Sequence, residues 1–178
     1  MKTILFYIAF TCWLLAILTH TLTIAHIDVE NHVPYTWALH VLIFVVWIPL
    51  VFDLKKNKEL QEYYQSPKAK SLLSGFYFCK IIFKGAPLWM QLLVGASLFY
   101  SALNFIVLLQ LYPGSAEIQN GHYVLMEKGE TIKHITEAEY HYYNAIQLRI
   151  FSGHWLIFYG VSTAAFYRYS GLIKQNQP

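Results

Sequence analysis

The chain has 178 residues, of which 56% are hydrophobic, 17% aromatic and only 13% charged, and its mean hydropathy is +0.37. Soluble domains carry roughly 25% charged residues, so this composition excludes an ordinary soluble enzyme and implies an all-α integral membrane protein. A formal charge of +3, spread over eleven lysines and two arginines, gives no basic patch and excludes nucleic acid as a partner.

From Thr3 to Ile27 the chain has no charged residue, and residues 4–26 form the first expected span, since a hydrocarbon core needs about 20 apolar residues. Thr23-Ile24-Ala25 loosely resembles a signal-peptidase site. The apolar run is much longer than the roughly 7–15 residues of a signal sequence, which favours a retained span. An acidic connector follows, with Asp28, Glu30 and Pro34, and then a second span over residues 35–53. Tyr35 and Trp37 suit the aromatic belt at its outer boundary, and Pro49 predicts a kink near its inner end.

Residues 54–85 are basic, with seven lysines (55, 56, 58, 68, 70, 80 and 84). Ser66-Pro67 reads as an N-cap and first helical residue, and Gly85 with Pro87 as a stop. The helix between them mixes lysines with Leu72, Leu73, Phe76, Phe78 and Ile82. It is expected to lie in the cytoplasmic membrane interface, or else to form a hairpin packed on the bundle. The third span, residues 86–111, has no charge but carries Ser97, Ser101 and Asn104, which fall on one face at 100° per residue.

Within the loop 112–147, Tyr123–Met126 and Thr131–Ile135 predict a small β-hairpin joined through Glu127-Lys128-Gly129-Glu130. Thr136 and Glu139 form a capping box. The helix it opens is expected to continue unbroken into a fourth span, residues 148–170, giving a length of roughly 50 Å at 1.5 Å per residue.

The lysine loop lies between spans two and three, whereas the loop 112–147 holds five glutamates against Lys128 and Lys133. The positive-inside rule then places the lysine loop, both termini, Arg168 and Lys174 in the cytoplasm, and the hairpin outside. The expected architecture is one domain over residues 1–178. It is a four-helix transmembrane bundle in a plasma membrane, with an extracytoplasmic β-hairpin and a cytoplasmic interfacial helix. Scarce arginine beside abundant lysine, isoleucine and tyrosine points to an AT-rich, bacterial genome.

No Gly-rich phosphate loop, HExxH, GxSxG or internal repeat is present, and Cys12 and Cys79 fit neither a CxxC motif nor a disulfide. The candidate site is therefore a polar layer inside the spans. His20, His40 and His154 are each expected about 7–9 Å below the outer boundary, with Asn104 slightly deeper and Arg149 at the boundary itself. Gly153, Gly160 and Ala164 form a small-residue ridge on span four that permits close helix approach.

Four chemistries use such a layer. Two histidines on facing helices would hold haem b. Three imidazoles, with Glu30 or Glu139, would hold a divalent metal, and Ser101 or Asn104 would orient them. His154 with Arg149 would serve a quinone or a proton. Alternatively, the histidines are hydrogen-bonded within the bundle, and Arg149 pairs with Asp28 or Glu30. Two function classes follow. One is a non-enzymatic membrane protein acting through a partner or a second copy, of accessory, assembly or immunity type. The other is a redox or metal-handling membrane protein using His20, His40 and His154. A small carrier or channel is the weaker third class, because no span carries a buried acid or a repeat pattern.

Overall fold

The longest helix is the one the others pack against. In the computed structural model, which describes residues 1–172, α7 (Glu137–Phe166) touches α1 (Lys2–Ile24), α3 (Ala38–Lys55) and α6 (Leu88–Leu111). Short helices α2 (Val29–His32), α4 (Lys58–Gln65) and α5 (Ser74–Ile82) join them, and the last expected residues, Lys174 included, lie outside the described part of the chain.

Helices α1, α3 and α6 are long and apolar enough to cross a membrane. Helix α7 falls short of that standard because its sequence includes Arg149, Ser152, His154, Ser162 and Thr163. It nevertheless supplies the centre of the core: Trp155, Tyr159 and Phe166 are buried against Phe6, Ala9, Trp13 and Ala16 of α1, Val46 and Leu50 of α3, and Met90 and Val94 of α6. The outer faces of the three apolar helices are left bare, with Leu14 and Leu18, Val41 and Phe44, and Leu92 and Phe99 all exposed. Pro49 is accommodated inside an unbroken α3.

The two ends of the bundle are tied differently. Where α1 begins and α3 and α7 finish, Lys2 pairs with Asp53 and donates to the Tyr169 hydroxyl at 3.1 Å, while Thr3 Oγ1 donates to the Tyr169 carbonyl at 2.8 Å. At the other end α1 closes in a Schellman motif. The His26 N–H donates to the Thr23 carbonyl and the Ile27 N–H to the Leu22 carbonyl, both at 3.1 Å, with His26 left-handed at φ 58°.

Two expectations are corrected. The hairpin is a three-stranded antiparallel sheet, β1 (Ser115–Gln119), β2 (His122–Glu127) and β3 (Glu130–His134), in that order. Both turns are two residues long with positive φ at each position, Asn120-Gly121 (51° and 80°) and Lys128-Gly129 (52° and 87°), the pattern that matches strand twist. The Asn-Gly pair was the signal for the missing strand. The lysine loop also does not form one helix from Pro67. It folds as α4, a 3-10 turn over Pro67–Lys70, a break at residues 71–73, and α5, with α4 and α5 in contact. Ser66 does not cap with its side chain, since its hydroxyl donates back to the Tyr63 carbonyl.

Candidate functional site

Helix α7 carries two polar clusters, one inside the bundle and one just beyond it. The inner cluster begins with Arg149, whose Nε–H donates to Asn104 Oδ1 at 2.9 Å; Asn104 Nδ2 in turn lies 3.4 Å from the Arg149 carbonyl. Neither Asp28 nor Glu30 reaches Arg149, which corrects the expected ion pair. One turn further along, Ser101 Oγ donates to the Gly153 carbonyl at 2.7 Å. Ser101 and Asn104 are buried and face α7; Ser97 is half-buried on the same helix.

Gly153 and Gly160 explain why α7 approaches so closely. A Cβ at Gly153 would lie 3.2 Å from Asn104 Nδ2, and one at Gly160 would lie 3.1 Å from Trp13 Nε1 and 3.2 Å from Val94 Cγ2. Each glycine thus admits a side chain from a neighbouring helix into space that any other residue would fill.

The three histidines point to different helix contacts. His20 is buried between α1, α6 and α7, with Nδ1 2.8 Å from Ser152 Oγ and Nε2 2.9 Å from Tyr100 OH. His40 Nδ1 accepts from Trp155 Nε1–H at 3.1 Å, and its ring also lies edge-on to Phe151. His154 Nδ1–H donates to the Ile150 carbonyl one turn back at 3.0 Å, with its ring edge-on to Phe105. A haem or metal at His20 would have to displace two hydrogen bonds. Among the described residues no group of three or more His, Cys, Asp or Glu side chains stands close enough to hold a metal ion. Ser152, Tyr100 and Trp155 were not identified from sequence, because an aromatic or a serine in an apolar run carries no mark of its partner.

The outer cluster centres on Asp28. Its side chain is only 6% exposed. Oδ1 accepts from the Asn31 N–H at 3.3 Å as the N-cap of α2, and Oδ2 accepts from His141 Nδ1–H at 2.7 Å and from Asn144 Nδ2 at 3.4 Å. The pair fastens α2 to the part of α7 that extends past the bundle.

The sheet sits on that same extension. Val124, Leu125, Met126 and Ile135 are buried, the Ile135 N–H donates to the Tyr123 carbonyl at 2.9 Å, and the Tyr123 and Tyr140 rings lie 5.0 Å apart. The capping box closes as expected, with the Glu139 N–H donating to Thr136 Oγ1 at 3.2 Å and the Thr136 N–H donating to Glu139 Oε2 at 2.8 Å. Lys133 of β3 adds a 3.3 Å contact to the same carboxylate, which ties the sheet to the helix start. Comparison of the chain with protein-family models, curated proteins and solved structures finds no match to any of them.

Proposed function

We propose that the chain is a four-span integral protein of a plasma membrane that acts without chemistry of its own, through a protein partner met at its sheet-bearing end. Accessory, assembly and immunity-type roles all fit this reading. Membrane insertion is supported by the bare apolar faces of α1, α3 and α6, which in water would form a very large exposed patch. Helix α7 is the fourth span in this reading. Its backbone is satisfied by its own helix, and Ser152, Ser162 and Thr163 are buried inside the protein, away from any lipid. The lysines of α4 and α5 and the turn between them favour a cytoplasmic location for that end, with the sheet outside.

The observation that carries the partner reading is strand β3. Every residue from Glu130 to His134 is exposed, its outer edge has no neighbouring strand among the described residues, and the sheet behind it packs on α7. An uncovered edge offers backbone donors and acceptors ready for another chain, and it is a costly feature to leave open without use. Photo-crosslinkers placed at Glu130 and Ile132 in native membranes should capture one discrete protein, either another membrane protein or a second copy. The same chemistry at Phe99, on the outer face of α6, should not. Identical captures from both positions, or none from β3, would end the reading. Orientation is tested separately: an impermeant maleimide should reach exposed Cys79 only from the cytoplasmic side and leave buried Cys12 unlabelled.

A further inference from the structure

Between the sheet and the bundle lies a cleft of about 530 Å³, bounded by α2, the start of α3, β1 and the extension of α7. Its walls include Asp28 and Glu30, the aromatic rings of Trp37 and Tyr140, and the side-chain amides of Asn144 and Gln147. Tyr140, Asn144 and Gln147 share one face of α7 at helical spacing, so a single helix supplies one whole wall. Among the described residues no lysine or arginine lines it.

We propose that this cleft is a binding site for a small organic ammonium ion. The reading does not depend on the partner proposed above.

The charge sign comes first. Asp28 and Glu30 bring two carboxyl groups to the lining, and no lysine or arginine among the described residues stands there to answer them, so the lining favours a cation over an anion. The class of cation comes next. For a metal ion, no group of three or more His, Cys, Asp or Glu side chains stands together there among the described residues. Its volume falls within the range of small-molecule sites, and an ammonium group is attracted both to carboxylates and to aromatic faces.

The walls are also fixed in advance. Trp37 packs edge-on against Phe151 at 4.9 Å and Trp155 at 6.0 Å; Tyr140 lies between Tyr123 at 5.0 Å and His141 at 5.3 Å. A pre-formed aromatic pocket loses little conformational freedom when a ligand enters. The ammonium could belong to a free solute or to a lipid headgroup at the membrane surface, because both present the same chemistry.

The test uses the purified full chain in phosphatidylglycerol nanodiscs, titrated calorimetrically with tetramethylammonium chloride. One saturable site is expected. Glu30→Lys and Gln147→Lys each bring a cation into the lining at a residue that makes no side-chain hydrogen bond among the described residues, and each should weaken binding at least about tenfold while leaving the thermal midpoint unchanged. Repeating the titration in phosphatidylcholine discs separates the sources. Binding lost there assigns the ammonium to the lipid headgroup; binding retained assigns it to a free solute. Absence of a saturable site in phosphatidylglycerol discs, or equal affinity in wild type and both variants, would overturn the proposal.

Discussion

Helices α6 and α7 lie side by side and have opposite relations to their surroundings. Helix α6 has no charged residue across 24 positions, yet only Met90, Val94, Ser101, Asn104 and Leu108 are buried. Helix α7 holds Ser152, Gly153, His154, Ser162 and Thr163 between Ile150 and Phe166, yet none of those 17 positions is exposed. Apolarity along a helix therefore reports what its outer face meets. A helix ringed by three others has little outer face, and neighbours answer several of its polar groups: Ser152 by His20, the Gly153 carbonyl by Ser101, Trp155 by His40, whereas the Ser162 and Thr163 hydroxyls are buried with no hydrogen-bond partner among the described residues. The rim is written in hydropathy and the hub in packing.

The sharpest way to break that contrast is to truncate one large aromatic on each helix. Trp155 is fully buried and Phe99 is 67% exposed. Trp155→Ala should cost about 3–5 kcal/mol, since it opens a cavity and strips His40 Nδ1 of its donor. Phe99→Ala should stay within about 0.5 kcal/mol. Equilibrium unfolding in mixed micelles measures both. Equal losses would mean that α6 is buried by something else and that the rim reading is wrong.

A second test enlarges the hub. Gly160→Leu would push a side chain into Trp13 and Val94, whose atoms already lie within 3.2 Å of a Cβ position. A loss of about 1–3 kcal/mol is expected from overpacking. At Gly95, on α6, a Cβ would meet nothing within 4 Å, so Gly95→Leu should not destabilise the fold. The same unfolding assay compares the two.

The contrast also explains what could be read in the chain. Long charge-free runs located α1, α3 and α6 to within three residues at each end, because a rim helix shows its environment in every residue. The Thr136–Glu139 box marked the start of α7, since both partners lie within one four-residue stretch of the chain. Strand β1 was missed although Asn120-Gly121 marks its turn, because Ser115-Ala116-Glu117-Ile118-Gln119 alternates over only two apolar residues, Ala116 and Ile118, with just one of them β-branched. The polar layer was legible in its residues and not in its pairings. Arg149 was matched to Asp28 or Glu30 by charge, but α2 turns Asp28 toward His141 and leaves Asn104 as the nearer oxygen. Which residues meet depends on helix rotation, and a sequence does not carry rotation locally.

Asn104 supplies a smaller test. Asn104→Leu keeps much of the volume but removes the acceptor for Arg149 Nε–H, so a loss of about 1 kcal/mol is expected. Half-buried Ser97, on the same polar face, should tolerate alanine with no measurable change. If Ser97→Ala proves as costly as Asn104→Leu, the polar face of α6 acts as one continuous seam and not through a single contact with α7.

The smallest effect is expected outside the bundle, where α7 begins. Glu139 is held below the ordinary carboxyl value of 4.5, first by the Thr136 N–H and then by Lys133 and the Thr136 hydroxyl. A carboxyl whose folded value is depressed stabilises the fold above its unfolded value and loses that contribution as pH falls through the folded one. Amides of the first turn of α7 should therefore exchange with solvent faster, relative to intrinsic rates, once the pH drops below 4.5. Glu139→Gln should flatten that dependence, and Thr136→Ala should cost about 1 kcal/mol at neutral pH. The hub residues Leu156 to Phe166 should show no such change, because no carboxylate lies along that stretch of α7 and its protection comes from packing. Acid-induced loosening that spread evenly along α7 would show that the head and the hub open as one unit, so that the sheet's anchor also stabilises the bundle.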